Sequence, residues 1–519
     1  MNQIWNIFRK DARHYWRESL VSAALLCAYG WIEVRGWTQE DIFSTGLVTY
    51  RFLSGLVDVL VPVAWAFLVV RTIQGESLVG DRQFWLTRPY EWKKLLASKI
   101  LFLLVFLNLP LLILDVVLLA IAGFDPSHHV VGLLWMQFLI LLFLVLSAAA
   151  LASITANIVQ ALLGLLVIAL YIVGMAALAS QIPNSDFSGP VDFLPAGFFV
   201  GTCVAVIIIQ YARRRTGTSR LLVFALGLVI LIILVATPYR AIVAHEFPIL
   251  SASQLPFHLS LLRPDTSAAN RTADVEKDVT IQLPFGVSGI GSDSIVLVDG
   301  IFVSVDAPGG VKWNSGWKSP GLFLFPEQKN ARIDFQMQRK VFDRIQSTPV
   351  DLRFSLAFTV FRDGDEQSLV LPRGEFAIRN VGLCSIEGGY VPNIRCRAPL
   401  RRPPFLLMTT DMANATCPLQ KGEVPPSPGD IARGWTQNGD SGPAELGISP
   451  VVTFNLYLSH SNGGFGTKFS GNGVCPGSRI LLSNPIPIFR NQFALKLDGL
   501  HLAEYREQPL RFTFEPETK

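Results

Sequence analysis

Asp58 and Asp115 are carboxylates set inside long apolar runs of a 519-residue chain. At the centre of a membrane helix each would cost about 2.5 to 3.5 kcal/mol, so such residues face a bundle interior or a wet cavity. Both fall toward the outer half of their runs, which lowers that cost. They are candidates to line a translocation path. The plain alternatives are hydrogen bonding between neighbouring helices or contact with outer-leaflet water. Pro62 and Pro110 are expected to kink the same two segments.

Other constellations carry less chemistry. His245-Glu246 opens like H-E-x-x-H, but Ile249 stands where the second histidine would be, so no two-imidazole zinc face forms. His128-His129 reads as a solvated pair in a short loop. The stretch Gly463 to Gly473 lacks the G-x-x-x-x-G-K-[ST] spacing of a phosphate loop and reads as turn glycines. Arg401-Arg402 has no basic stripe or aromatic platform beside it, so no nucleic acid partner is expected. No catalytic residue, metal site or cofactor is expected in this chain. Cys384, Cys396, Cys417 and Cys475 form an even set spaced by 12, 21 and 58 residues without a C-x-x-C pair, which favours disulfides over zinc and leaves three connectivities open.

These residues must be positioned by elements of two kinds. Half of the chain is apolar and 16% charged, with a mean hydropathy of +0.40; soluble domains sit nearer a quarter charged. Nearly every long charge-poor run precedes Pro238, which excludes both a wholly soluble enzyme and a membrane bundle continuing to the last residue. A crossing needs about 20 apolar residues. Seven runs qualify: Ser19 to Val34, Phe52 to Val70, Ile100 to Ala122, Val131 to Ser153, Val159 to Ala179, Phe193 to Ala212 and Leu221 to Thr237. The first is short and carries Glu33. It is expected to be retained as a span, because no small-x-small cleavage site follows it.

Cations in short loops stay on the cytoplasmic side. Through Arg240 there are 17 Lys and Arg, of which 14 precede the first run or lie between the second and third or the sixth and seventh. An odd number of crossings then puts the amino terminus in the cytoplasm and everything after Pro238 outside. The same segment holds 13 Asp and Glu against those 17 cations, so it accounts for the entire net charge of +4. That charge is a topology signal and indicates no acidic partner.

From about Val279 the hydrophobic period changes to two. Leu352, Phe354, Leu356, Phe358 and Val360 alternate with Asp351, Arg353, Ser355, Ala357 and Thr359, the pattern of a strand with one buried face. Asp299-Gly300, Asp363-Gly364, Asn462-Gly463 and Asp498-Gly499 are expected to make tight hairpin turns. Met412 to Pro450 lacks periodicity and reads as a long surface insertion. The expected fold is an α-helical polytopic membrane bundle followed by an all-β, sandwich-like extracytoplasmic domain. Its parts are an amphipathic helix over 1–18, a transmembrane unit over 19–237, a linker over 238–278 and one large or two small β-sandwiches over 279–519.

The cytoplasmic side holds the most distinctive sequence. Ile4, Trp5, Phe8, Ala12, Tyr15 and Trp16 recur at helical spacing with Arg9, Lys10, Arg13 and Arg17 between them, which suits an amphipathic helix lying in the bilayer interface. The stretch Gly75 to Pro89, followed by Trp92, Leu95, Leu96 and Lys99, mixes aromatics with both charge signs, the composition of a protein contact. The leader Phe8-Arg9-Lys10-Asp11-Ala12-Arg13 and the loop core Gly80-Asp81-Arg82-Gln83-Phe84-Trp85-Leu86-Thr87-Arg88-Pro89 resemble permease subunits of the type 2 ABC exporter family over about the first 240 residues.

That resemblance implies a homodimer, or a heterodimer with a related permease, in a bacterial inner membrane. It also implies a separate cytoplasmic ABC ATPase subunit as partner. Glu76, Asp81, Arg82, Phe84, Trp85 and Arg88 would be the surface that couples to that ATPase, and ATP hydrolysis would be supplied in trans. The chain departs from the usual six-span plan of the family by a seventh span and by the β domain. The second reading is a membrane-anchored extracytoplasmic protein that binds or assembles envelope components without transport.

Overall fold

The computed structural model describes residues 2–37, 45–75, 91–179, 193–236, 239–251, 255–263, 278–326, 328–362, 364, 366–387, 393–401, 405–411, 431–437, 448–456, 459–460 and 475–506. The helical half comprises α1 (Asn2–His14), α2 (Trp16–Gly36), α3 (Thr45–Gln74), α4 (Trp92–Leu103), α5 (Leu109–Ile121), α6 (Val130–Ile140), α7 (Leu146–Ile154), α8 (Ile158–Ala179), α9 (Phe193–Arg213), α10 (Thr216–Ala236) and α11 (Tyr239–Glu246). Single π-helical turns, Leu104–Asn108 and Leu141–Val145, join α4 to α5 and α6 to α7 into two continuous rods. Such turns insert an extra residue into the helix and often mark functional positions.

Among the described residues six helical stretches are long and apolar enough to cross a membrane: Phe52–Gln74, Trp92–Ile121, Pro126–Ile154, Ile158–Met175, Pro195–Arg213 and Thr216–Ile233. The chain is therefore a multi-pass membrane protein by length and composition. The expected first span, Ser19 to Val34, lies within α2, whose Arg17, Glu18, Glu33 and Arg35 leave it outside that set. The bundle interior is built from Val61, Trp65 and Leu68 of α3, Phe102 of α4, Leu111 of α5 and Val206 of α9. Leu162, Val167, Leu170 and Val173 of α8 and Leu221 and Phe224 of α10 point outward. An apolar outer face of this kind costs nothing against lipid tails.

The bundle has two recognisable ends. At the leader end, the Tyr15 hydroxyl donates to the Arg71 carbonyl at 3.0 Å and Arg71 lies 3.9 Å from Glu18, so α2 starts where α3 finishes. At the far end Trp37, just past α2, packs with Leu118, Leu119 and Ala122, where α5 finishes.

The second half is β-rich. Its elements are β1 (His258–Leu261), β2 (Asp278–Ser288), β3 (Ser294–Ala307), β4 (Val311–Lys318), β5 (Leu322–Leu324), β6 (Asn330–Gln338), α12 (Arg339–Ile345), β7 (Val350–Arg362), β8 (Glu366–Val370), β9 (Glu375–Ile378), β10 (Gly382–Glu387), β11 (Asn393–Pro399), β12 (Phe405–Asp411), β13 (Ile431–Gln437), β14 (Val451–Leu456), β15 (Ser459–His460), β16 (Arg479–Ser483) and β17 (Ile486–Leu500). They form four sheets, in the orders β1-β2-β6, β17-β7-β3-β4 with β5 on β3, β14-β11-β10-β9, and β15-β13-β12-β16-β8. One core takes Ile281, Leu283 and Phe285 of β2 with Leu352, Phe354 and Leu356 of β7. A second takes Ile394 of β11 and Phe454 of β14 with Met408 of β12 and Ile480 of β16. Each buried leucine or phenylalanine contributes roughly 1.5 to 3 kcal/mol.

Three expectations are corrected here. Asp299-Gly300 and Asp498-Gly499 are not hairpin turns: they lie inside β3 and β17, at register shifts against β7. Gly499 has φ +68°, and a bulge exploits the same conformational freedom as a tight turn. Asp363, Asn462 and Gly463 lie outside the described residues. The segment 238–278 is more than a linker, since it contains α11 and β1, which pairs with β2 from His258↔Ser288 onward. Val243 and Phe247 cover Trp317 and Ala357, so the second face of β7 is buried at Ala357 and Thr359, while Arg353 stays exposed. Within Met412 to Pro450, β13 pairs along the whole of β12, from Phe405↔Gln437 to Asp411↔Ile431.

Candidate functional site

The leader end of the bundle is assembled around α1. Ile7, Phe8 and Tyr15 sit on one helical stripe and are buried, while Trp5, Arg9, Arg13 and Trp16 are exposed. Phe8 lies 6.1 Å from Phe106 and Tyr15 lies 6.2 Å from Phe102, ring centroid to centroid, so α1 rests along α4 and the π turn after it. Between these aromatic contacts, Lys99 Nζ donates to Asp11 Oδ2 at 2.8 Å. The two side chains are only 2% and 3% exposed. A buried ion pair adds little net stability but punishes the loss of either partner, so it fixes how α1 sits on α4.

Other strands of the chain close the same end. Gln74 Nε2, at the last residue of α3, donates to Thr155 Oγ1 at 2.9 Å. Gln210 Nε2 of α9 donates to the Ser153 carbonyl at 3.0 Å, and Arg220 of α10 to the Ile154 carbonyl at 3.2 Å. A Cβ at Gly75 would collide with the Tyr15 hydroxyl, so a larger residue there would push Tyr15 off its hydrogen bond to the Arg71 carbonyl. Of the expected coupling surface, Glu76, Asp81, Arg82, Phe84, Trp85 and Arg88 lie outside the described residues. Its flanks, Gly75 at the end of α3 and Trp92 at the start of α4, belong to this end.

Deeper in the bundle the two expected path carboxylates part company. Asp58 is exposed on the surface of α3, whereas Asp115 of α5 is fully enclosed. Asp115 Oδ2 accepts from Gln137 Nε2 at 2.8 Å, and Gln137 Oε1 in turn accepts from Asn108 Nδ2 at 2.9 Å. Asn108 closes the first π turn and Gln137 lies one turn before the second, so both irregular turns flank this polar chain. Among the described residues, Asn108 Oδ1 and Asp115 Oδ1 are buried without a hydrogen-bond partner. An acceptor left bare inside a bundle is costly and needs a reason. Asn108 and Gln137 were missed in the sequence, although uncharged amides inside apolar runs are a readable signal. The Asp11–Lys99 pair had no such signal, because its partners stand 88 residues apart.

At the far end a β-sheet is seated on the helices. Arg395 of β11 donates to the Gly36 carbonyl at 2.9 Å, and the Arg397 guanidinium lies 5.8 Å from the centroid of the Trp37 ring. Val451 and Leu400 join Trp37, Leu118, Leu119 and Leu133 in one apolar cluster. Cys384 and Cys396, directly opposite each other on β10 and β11, are disulfide-bonded within this sheet. Cys475 is disulfide-bonded as well; Cys417 lies outside the described residues.

Among the described residues Asp299 is the one strongly perturbed carboxylate of the β half. Burial pushes its carboxyl up to about 6, against the opposing pull of the Thr359 hydroxyl, which donates at 2.6 Å, and of the Arg490 guanidinium. Glu246 of α11 adds to the rise and is itself paired with Arg490 at 3.0 Å.

Comparison with known proteins adds no name. No known protein family matches the chain, and no curated protein does. What the fold defines is a class: a multi-pass helical bundle carrying a β-rich half with several sheets.

Proposed function

We propose that the chain is the membrane permease subunit of an ABC-type exporter, in which a separate ATPase docks at the leader end and the β half stands at the exit side. The observation that carries this reading is the Asp11–Lys99 pair. It clamps the leader helix to α4, the helix that follows the Glu76 to Pro89 loop. The two segments that resemble type 2 ABC exporter permeases therefore belong to the same end of the bundle.

Orientation is part of the reading. α2 begins beside the last turn of α3 and ends beside the last turn of α5. Its 21 residues would extend about 31 Å at 1.5 Å per residue, enough for a seventh crossing. Seven crossings put the leader and the β half on opposite sides. The 14 cations in leader-end segments favour the cytoplasm for that end. The β half is then periplasmic, with each pair of sheets packed as a sandwich around its own core.

In this arrangement nucleotide chemistry belongs to the partner. Binding and release of ATP there would move the 76–90 loop, and α1 and α4 would pass the motion to the rods that contain the two π turns. The polar chain Asn108–Gln137–Asp115 lies in those rods and is the candidate for the path interior. Asp58, on the bundle surface, is left for a contact with lipid headgroups or a second permease. The experiment is co-purification of an ATP-hydrolysing partner from the native membrane, for the natural chain and for Trp85→Ala/Arg88→Ala. Reduced ATPase recovery in the double variant supports the coupling surface, and equal recovery refutes it.

A further inference from the structure

Side chains of α1 and of Trp16, the first residue of α2, outline an open groove of about 750 Å3, lined by Trp5, Phe8, Arg9, Ala12, Arg13 and Trp16. The wall residues follow from helical spacing: Trp5, Arg9 and Arg13 are one turn apart in succession, and Trp16 follows within the next turn. Trp5 stacks on Phe8 at 5.1 Å and Arg17 lies 5.5 Å from the centroid of the Trp16 ring, so both indoles are braced. Among the described residues neither Arg9 nor Arg13 has a carboxylate partner. The one acid of this helix, Asp11, faces the other way and is engaged with Lys99.

Depth fixes the surroundings of this groove. Lys99 is the last cation before the apolar run that begins at Ile100. Because Asp11 touches Lys99, and Phe8 touches Phe106 seven residues further along, α1 lies where hydrocarbon gives way to headgroups. Tryptophan is favoured at this level, its indole amphipathic and its ring apolar. Two guanidinium forks a turn apart, at a membrane edge and without acids, match a phosphate diester in geometry as well as charge.

We propose that this groove binds the headgroup of an anionic phospholipid from the leaflet at the leader end, with Arg9 and Arg13 on its phosphate and Trp5 and Trp16 against its glycerol and upper acyl carbons. The natural ligand is a lipid whose headgroup lacks an ammonium, since Arg9 and Arg13, with Arg17 at the start of α2, repel one. The site does not depend on the transport reading: it requires only the membrane, α1 and the first turn of α2.

Native mass spectrometry of the full chain in detergent, with phosphatidylglycerol or phosphatidylcholine added, reads the binding directly. The natural chain is expected to hold phosphatidylglycerol about tenfold or more tighter than phosphatidylcholine. Arg9→Gln/Arg13→Gln should remove that preference, while Arg213→Gln/Arg215→Gln, at the same end but outside the groove, should keep it. Equal affinity for both lipids in the natural chain, or an undiminished preference in Arg9→Gln/Arg13→Gln, overturns the proposal. A photo-crosslinking Trp5→benzoylphenylalanine variant in nanodiscs containing phosphatidylglycerol identifies the occupant independently. A lipid-sized mass increment supports the site, and a crosslink to a second copy or to a partner protein overturns it.

Discussion

Replacing Lys99 by Met should loosen α1 from the bundle without unfolding the bundle. At 2.8 Å the attraction between Lys99 and Asp11 is about 6 kcal/mol at an effective dielectric of roughly 20, most of it spent on stripping both groups of water. Removing one partner forfeits the attraction and keeps the other's desolvation, which costs about 3 to 5 kcal/mol in comparable buried pairs. If α1 opens locally, that energy appears as a roughly 150- to 5,000-fold rise in the opening equilibrium, at about 1.4 kcal/mol per tenfold. Hydrogen exchange of the amides of 2–14 in nanodiscs reads this equilibrium, with the amides of α3 as internal reference. Asp11→Leu/Lys99→Met, which replaces the pair by apolar groups of similar size, should recover most of the protection, because neither charge is then stranded. Unchanged exchange in Lys99→Met, or a double variant as loose as the single, would refute the reasoning.

Three further outcomes follow from the geometry. Because the Asp299 carboxyl is held up at about 6, the folded chain keeps a proton there that the unfolded chain has released above about pH 4. Stability should therefore fall as pH rises from about 4 to 6, by about 3 kcal/mol from this group. Asp299→Asn should flatten that slope in thermal unfolding of the full chain, and an identical pH profile would count against it. Gln137→Leu strands Asn108 Nδ2 and Asp115 Oδ2 inside the bundle and should lower the unfolding temperature, at about 1 to 3 kcal/mol per stranded group; an unchanged temperature would mean that water replaces the amide. Peptide mapping without reductant should recover Cys384 linked to Cys396. It should also recover Cys475 linked to Cys417, the remaining cysteine once Cys27 and Cys203 are free. A free Cys417 thiol would contradict this pairing.

What could be read from the sequence was what local pattern dictates. Charge-poor runs marked the six apolar stretches because lipid tolerates so few charges, and the alternation at Leu352 to Val360 marked β7 because every second residue enters the core. Contacts between distant segments were not legible. Nothing local to Asp11, in a leader crowded with cations, says that it leaves water to meet Lys99. The π turns carry no residue signature, so the meeting of Asn108, Gln137 and Asp115 was hidden even though Asp115 itself stood out. Asp-Gly pairs were legible as flexible points but not as bulges, because turn and bulge ask the same freedom of the backbone. β13 escaped notice because its strand character comes from pairing with β12 rather than from alternation of its own.

ATP hydrolysis that co-purifies with the chain from its native membrane tests the permease reading most directly. The reading predicts a stoichiometric ATPase retained by the natural chain and lost when α1 (Asn2–His14) is deleted, with the helical bundle still folded. Recovery of the natural chain without any ATP-hydrolysing partner would contradict it.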